Sequence, residues 1–298
     1  MRSDIIASYE RVMKNMSKNI FVLGVLATAS ALSALCASAT DDAVATTDKS
    51  FVQAYEKGDM AAVKKLLDAD FTWIDTDGVF YSKDDALALG LKPLVPSSGD
   101  VKIVEHKYGK VVWIQENQGN KYAAHFWVQR PTGWKLLHNS EIATRPASEN
   151  PDGRSPYAIP CVNPCQVMPY VPVTANEKAA LKGWQEQEDG TPEHWKLHVG
   201  DDQVVIGSYG VSTKMDRWNN ISKRNPNAPK VGVAPVLFAR LWDLDTAVVA
   251  IMCQPTYGGK AYWSSRVFAP NKDGLWMMME SYHTTIQASG VMNEVQGK

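Results

Sequence analysis

The segment Asp70-Phe71-Thr72-Trp73-Ile74-Asp75-Thr76-Asp77-Gly78-Val79 has a weaker copy later in the chain, Asp202-Gln203-Val204-Val205-Ile206-Gly207-Ser208-Tyr209-Gly210-Val211. The shared residues, with Asp84 and Asp216 beyond them, are all displaced by 132 positions (202 − 70). A second segment, Gly133-Trp134-Lys135-Leu136-Leu137, recurs as Leu275-Trp276-Met277-Met278-Met279, displaced by 142 (276 − 134). The later copy therefore has ten extra residues between its two segments. A repeat this long predicts two domains made by duplication rather than a solenoid.

Length and composition also favour two globular domains, because 298 residues with 45% hydrophobic content can bury two ordinary cores. The pattern of a cleaved secretory signal lies within residues 1–39, where an apolar run from Ile20 to Leu35 ends at Ala37-Ser38-Ala39. A membrane anchor would need about 20 apolar residues, and a lipoprotein anchor on Cys36 would follow Leu35 instead of a small residue. We therefore predict a periplasmic or secreted protein.

Charge disfavours nucleic acid and anionic membrane as partners. Removal of residues 1–39 leaves 27 basic groups (31 − 4) against 30 acidic groups (32 − 2), a net charge near −3. No basic cluster provides the electrostatic footprint that such partners need. We expect no nucleic acid partner, and no membrane partner after signal cleavage.

The predicted domains are residues 44–145 and 175–290, joined by a linker over 146–174 in which seven residues from Pro146 to Pro172 are proline. The linker contains Cys161 and Cys165, which predict a local disulfide in an oxidising compartment. A metal or redox site is the alternative, but the segment from Arg145 to Val173 has no histidine and no further cysteine.

Each domain begins with helices and continues as strands. Helical spacing over 48–67 breaks at Gly58-Asp59, strand 71–76 meets the turn signal Asp77-Gly78, and Ser82 begins a third helix. Four strand patterns follow, over 101–106, 110–116, 122–130 and 134–141. The second copy repeats this order. We predict an α+β fold with helices on one face of a curved antiparallel sheet in each domain.

The phrases Tyr55-Glu56-Lys57-Gly58-Asp59, Leu66-Leu67-Asp68-Ala69-Asp70-Phe71-Thr72-Trp73-Ile74-Asp75 and Gly133-Trp134-Lys135-Leu136-Leu137-His138 occur in an order that resembles the nuclear transport factor 2-like superfamily. The chain looks closest to the secreted bacterial branch related to SnoaL-like polyketide cyclases and ketosteroid isomerases. The resemblance implies two cone-shaped domains, each a bent sheet around a long helix with an apolar pocket. It also implies that a tandem chain can satisfy within itself the sheet-to-sheet dimer interface common in the family, as an intramolecular pseudo-dimer.

The resemblance also supplies a catalytic candidate, because Asp75 matches the carboxylate that shuttles a proton in ketosteroid isomerases. Phe71, Trp73 and Asp75 share a strand face by period two, and an apolar setting would raise the carboxyl pKa. Phe51 stands at the position of the oxyanion-donating tyrosine and has no hydrogen to donate. The alternative role for Asp75 is hydrogen bonding to its own turn. The second copy has Gly207 there, which confines such chemistry to the first domain.

His125 and His138 are candidate proton carriers, although a strand histidine is more often a hydrogen-bonded structural group. We predict that a small apolar molecule or a protein partner is bound without catalysis; the alternative is a proton-transfer enzyme, an isomerase, dehydratase or cyclase, using Asp75. We predict no cofactor. We also predict no metal: His194 and His198 are spaced i, i+4 on a predicted helix, as metal ligands can be, but a third ligand is missing. The candidate ligand-binding residues are aromatic: Phe51, Tyr55, Trp73, Trp127, Trp134, Tyr262, Trp276 and Tyr282.

Overall fold

The computed structural model describes residues 43–149, 170–188, 191–223, 236–254 and 261–287. These form two six-stranded sheets with the same strand order, β2-β1-β6-β5-β4-β3 and β8-β7-β12-β11-β10-β9. The predicted signal (1–39), Cys161, Cys165 and most of the proposed linker lie outside the described residues. Every helix in the described part of the chain is too short or too polar to span a bilayer.

The first domain begins with two helices, α1 (residues 43–56) and α2 (Met60–Leu66), separated at Gly58 as the sequence predicts. A third, α3 (Lys83–Leu89), starts at a capping box in which Ser82 and Asp85 satisfy each other's backbone N–H groups. The strands are β1 (Leu67–Ile74), β2 (Phe80–Ser82), β3 (Lys102–Tyr108), β4 (Val111–Gln118), β5 (Lys121–Arg130) and β6 (Gly133–Ala143).

The second domain repeats this order with α4 (Ala175–Glu188), α5 (Pro192–His198) and α6 (Lys214–Ser222). Its strands are β7 (Val204–Gly207), β8 (Gly210–Thr213), β9 (Phe238–Asp243), β10 (Val248–Gln254), β11 (Tyr262–Pro270) and β12 (Trp276–Thr285). The α+β class is confirmed. The sheets are mixed rather than antiparallel throughout, because β1 runs parallel to β6 and β7 parallel to β12.

The strand register corrects the alignment of the two copies beyond Ile74. Ile74 pairs with Phe80, whereas Ile206 pairs with Val211, so the second turn is one residue shorter. Asp216 accordingly closes the capping box of α6 as Asp85 closes that of α3, at an offset of 131 (216 − 85). The pairing of Asp84 with Asp216 was therefore wrong by one position, as was that of Val79 with Val211.

Each sheet has two buried faces, as the near-continuous burial of its central strands requires. One face is covered by the long helix of its own domain. The other face carries an apolar cluster shared with the opposite sheet, which includes Trp113 and Phe126 from the first domain and Trp242 and Val267 from the second. We call these the helix-covered face and the inter-sheet face.

Candidate functional site

The helix-covered face of the first sheet carries two short rows of polar residues. Trp73, Asn139 and His125 lie opposite one another on β1, β6 and β5. In the second row, two residues further along, Ala123 of β5 lies between Glu141 of β6 and Glu116 of β4. Because side chains alternate between faces, both rows project towards α1. The side chains of both rows are at most 5% exposed.

Helix α1 supplies the acid at the centre of this group. Asp48 Oδ1 accepts a hydrogen bond from His125 Nδ1 at 2.7 Å and another from Trp127 Nε1 at 2.6 Å. Phe51, one turn along the helix, contacts both rings edge-on at centroid distances of 5.4 and 6.1 Å. The carboxylate therefore fixes the orientation of the His125 ring and leaves Nε2 facing away from Asp48.

Electrostatics favour a charged His125. Burial alone would lower the pKa of His125, but the adjacent Asp48 carboxylate raises it to about 9. Glu116 has a pKa above the usual range because burial disfavours its anion; His125 opposes this shift, and Asp48 adds to it. The set therefore has a protonated imidazole between a carboxylate and a carboxyl group that titrates unusually high.

Glu141 forms a second polar point on the same face. Its Oε1 accepts hydrogen bonds from the Leu94 N–H at 2.9 Å and from Asn139 Nδ2 at 3.3 Å. Burial nevertheless raises the pKa of Glu141 to about 7. Tyr55 contacts Trp73 edge-on at 5.6 Å, and its own pKa is raised by burial and by the nearby Glu141 charge.

Five buried polar atoms of this interior have no hydrogen-bond partner among the described residues: Tyr55 Oη, Trp73 Nε1, Glu116 Oε2, His125 Nε2 and Asn139 Oδ1. A buried polar group without a partner costs about 1–3 kcal/mol, so five together are unusual in a packed core. They include donors and acceptors. A molecule bound there would need both kinds of group to satisfy these atoms.

Three residues of this interior also form a potential metal-ligand set. Donor atoms of Asp48, Glu116 and His125 all lie within 4.8 Å of one another. However, Asp48 Oδ1 already accepts two N–H hydrogens, and the raised pKa of His125 means that a metal would have to displace its proton. The geometry supports hydrogen bonding better than metal ligation.

Asp75 lies in the turn and not with the polar group. Its Oδ1 accepts hydrogen bonds from the backbone N–H groups of Asp77 (3.0 Å) and Val79 (2.9 Å), and its Oδ2 accepts one from the Tyr81 hydroxyl (3.0 Å). Both oxygens thus stabilise the hairpin. The carboxylate matched to the ketosteroid isomerases is placed as a turn residue, which was the alternative role.

His138 lies on the inter-sheet face, separate from His125. Its Nε2 is 2.8 Å from Ser265 Oγ of the second domain, and its Nδ1 is 2.9 Å from Thr72 Oγ1. A β-bulge between the pairs Phe126↔His138 and Trp127↔Leu136 shifts the alternation of β6 by one residue. Because of this bulge, Leu136 and His138 lie on opposite faces of β6 although they are two residues apart.

The predicted aromatic residues divide among three environments. Phe51, Tyr55, Trp73 and Trp127 are buried in the first interior. Tyr282 belongs to the inter-sheet cluster, where it contacts Trp113. The remaining three, Trp134, Tyr262 and Trp276, are half-buried near strand ends.

Asp48, Glu116, Glu141 and Asn139 were not predicted from the sequence as site residues. A signal existed for Asp48, because Asp48, Phe51 and Tyr55 follow the i, i+3, i+7 spacing of one helix face. Glu116 similarly alternates with Ile114 on β4. Neither pattern distinguishes a buried acid from a solvated one without the tertiary pairing.

The strand register assigns each polar residue an equivalent in the second domain. In the helices, Asp48 corresponds to Ala180, because α4 is offset from α1 by 132 residues (180 − 48). In the strands, Glu116 corresponds to Met252 (offset 136) and His125 to Arg266 (offset 141). Asn139 and Glu141 correspond to Ser281 and His283 (offset 142). The acids are absent from the second interior at these positions, and an arginine replaces the histidine.

No protein-family model and no curated protein sequence matches the chain. Among solved structures, the chain is similar to an NTF2-like protein from Cytophaga hutchinsonii, with 15% identity over 38% of this chain and 100% of that one, and a TM-score of 0.31. It is also similar to an NTF-2 like protein of unknown function from Silicibacter pomeroyi, with 8% identity, 37% and 93% coverage and a TM-score of 0.31. The S. rosetta CaMKII hub gives 14% identity, 39% and 99% coverage and a TM-score of 0.31.

Proposed function

We propose that the first domain binds a small molecule on its helix-covered face, between α1 and the polar rows of the sheet. The observation that carries this proposal is the set of five buried polar atoms without a protein partner among the described residues. A ligand that accepts a hydrogen bond from protonated His125 and donates one to Asn139 Oδ1 would remove their desolvation cost. Flanking rings such as Phe51 and Trp127 favour a flat apolar body.

Native mass spectrometry of the purified protein tests for a bound molecule directly. We use 4-hydroxybenzamide as a probe, because it combines a flat ring with hydrogen-bond donors and an acceptor. Asn139→Leu removes one unpartnered acceptor and keeps the side-chain volume, so we expect it to weaken probe binding at least about tenfold. It also removes the 3.3 Å hydrogen bond from Asn139 Nδ2 to Glu141. We expect little change in melting temperature, because the loss of that long bond is offset by the removal of a buried acceptor that has no partner among the described residues.

The matched control is Asn220→Leu, which changes an exposed asparagine on α6 and should leave binding unaltered. The proposal fails if the wild type contains no co-purified molecule and binds the probe no better than Asn139→Leu does.

A second candidate function, proton transfer by an isomerase, dehydratase or cyclase, is favoured by one further observation. His125 is oriented by Asp48, and Glu116 nearby has a raised pKa, which is the acid–base arrangement that such chemistry needs. This hypothesis now rests on His125 in place of Asp75. Solvent deuterium should appear in a molecule recovered from the wild type and not in one recovered from His125→Gln; no incorporation in the wild type would exclude this candidate.

We also propose, on the sequence alone, that the protein is exported with removal of residues 1–39 and that Cys161 and Cys165 form a disulfide. The shared apolar cluster between the sheets supports the intramolecular pseudo-dimer. An obligate dimer of full-length chains in size-exclusion chromatography with light scattering would count against it.

A further inference from the structure

Arg266 occupies an unusual place in the second domain. It lies on the helix-covered face of β11, opposite Ser281 of β12 and Ala250 of β10, and is only 1% exposed. A buried guanidinium normally pairs with a carboxylate, because desolvating an unpaired charge is costly. Arg266 forms no ion pair with any of the described acids.

The contacts of Arg266 leave part of its hydrogen-bonding capacity unused. Nη2 donates to Gln254 Oε1 at 3.0 Å, and Nη1 lies 3.3 Å from the sulfur of Met252, a weak acceptor. Nε has no partner among the described residues. Burial lowers the pKa of Arg266, and the charge of Glu188 at the end of α4 and a hydrogen bond with Tyr262 on β11 offset this lowering only in part.

Trp184 adds a second unused donor. The guanidinium carbon of Arg266 lies 5.6 Å from the centroid of the Trp184 ring, and Trp184 Nε1 also lacks a partner among the described residues. Trp184 belongs to the same buried apolar cluster as Leu181, Ala250 and Phe268. Two donors without partners in the described chain, one of them cationic, beside apolar walls are complementary to an anion with an apolar body.

We propose that the helix-covered face of the second domain binds a small monocarboxylate, with Arg266 as the group that receives the carboxylate. One guanidinium matches one carboxylate, since its planar fork donates two parallel hydrogen bonds. The apolar walls select an aliphatic or aromatic body over a highly charged phosphate. This site is separate from the one proposed for the first domain, so either proposal can fail without the other.

Isothermal titration calorimetry with benzoate as the probe tests the assignment, and benzamide is the neutral comparison of nearly the same shape. We expect one benzoate per chain, benzamide at least about tenfold weaker, and a loss of at least about tenfold in benzoate affinity for Arg266→Met. Arg240→Met is the matched control, because Arg240 pairs with Asp70 outside this face. It should bind benzoate like the wild type.

Stability separates a binding role from a structural one. Replacing a poorly paired buried cation by an apolar side chain of similar length should leave the melting temperature unchanged or raise it. Arg266→Lys keeps the charge without the fork, so it should fold and bind benzoate more weakly than the wild type, which keeps the test decisive if Arg266→Met does not fold. Absence of saturable benzoate binding by the wild type, equal binding by Arg266→Met, or binding of phosphate but not benzoate would overturn the proposal.

Discussion

The contact between the two domains can be tested at one glycine. Gly78 has φ +74°, and a Cβ there would lie 2.7 Å from Ile286 Cα of the second domain. Two hydrogen bonds join the domains beside it: Trp263 Nε1 donates to the Gly78 carbonyl at 2.8 Å, and the Gln287 N–H donates to the Asp77 carbonyl at 2.8 Å. An alanine side chain cannot enter without moving backbone.

The free energy of unfolding should fall by two contributions in Gly78→Ala. A left-handed backbone costs a non-glycine residue about 1–2 kcal/mol. Displacing the second domain weakens the two hydrogen bonds, each of which contributes about 1 kcal/mol. We therefore expect a total loss of about 3–4 kcal/mol.

Gly119→Ala isolates the first contribution, because Gly119 has φ +64° and a Cβ added there would meet nothing within 4 Å among the described residues. It should lose only about 1–2 kcal/mol. Urea unfolding followed by tryptophan fluorescence measures both variants against the wild type. Equal losses in the two variants would refute the close packing of residue 78 against residue 286.

Two further predictions concern histidines on the inter-sheet side. His106 and Tyr108 both donate to buried Glu280, and the hydrogen bond from His106 raises the pKa of that histidine. The contribution of protonated His106 to the free energy of unfolding should be complete below about pH 6.5 and disappear as pH rises through its raised pKa. The difference in unfolding midpoint between wild type and His106→Gln should therefore shrink with pH, and a constant difference from about pH 5 to 9 would contradict this. Burial lowers the pKa of His138 to about 3, so its NMR signals should not titrate between about pH 5 and 8; a midpoint near 6.5 would contradict its placement. Its contribution to stability is present above about pH 6.5 and is lost as pH falls.

Local patterns in the sequence predicted most helices and strands. They failed where the structure depends on pairing between segments that are distant in the sequence. The break at Gly58 and the helix start at Ser82 follow from short-range chemistry, and both appear in the structure. The parallel pairing of β1 with β6 joins segments more than 60 residues apart, so no local signal encodes it. The bulge in β6 was equally invisible, and it moved His138 to the opposite face. Sites that depend on which face a strand residue occupies are therefore the least predictable part of such a domain.

The inter-sheet face shows what fusing the two copies permits. His138 and Glu280 are equivalent positions, 142 residues apart, and each reaches the other domain. His138 meets Ser265, whereas Glu280 meets His106 and Tyr108. In a symmetric homodimer, one residue type must serve both positions, because an isologous interface repeats each contact.

A single chain removes that constraint, and each contact can then change independently of its counterpart. The same freedom applies to the helix-covered faces, where Asp48 and Glu116 of the first domain correspond to Ala180 and Met252 of the second. Arg266 can replace His125 without requiring an arginine in both interiors. A scaffold repeated within one chain can thus hold two interiors with different ionisable groups.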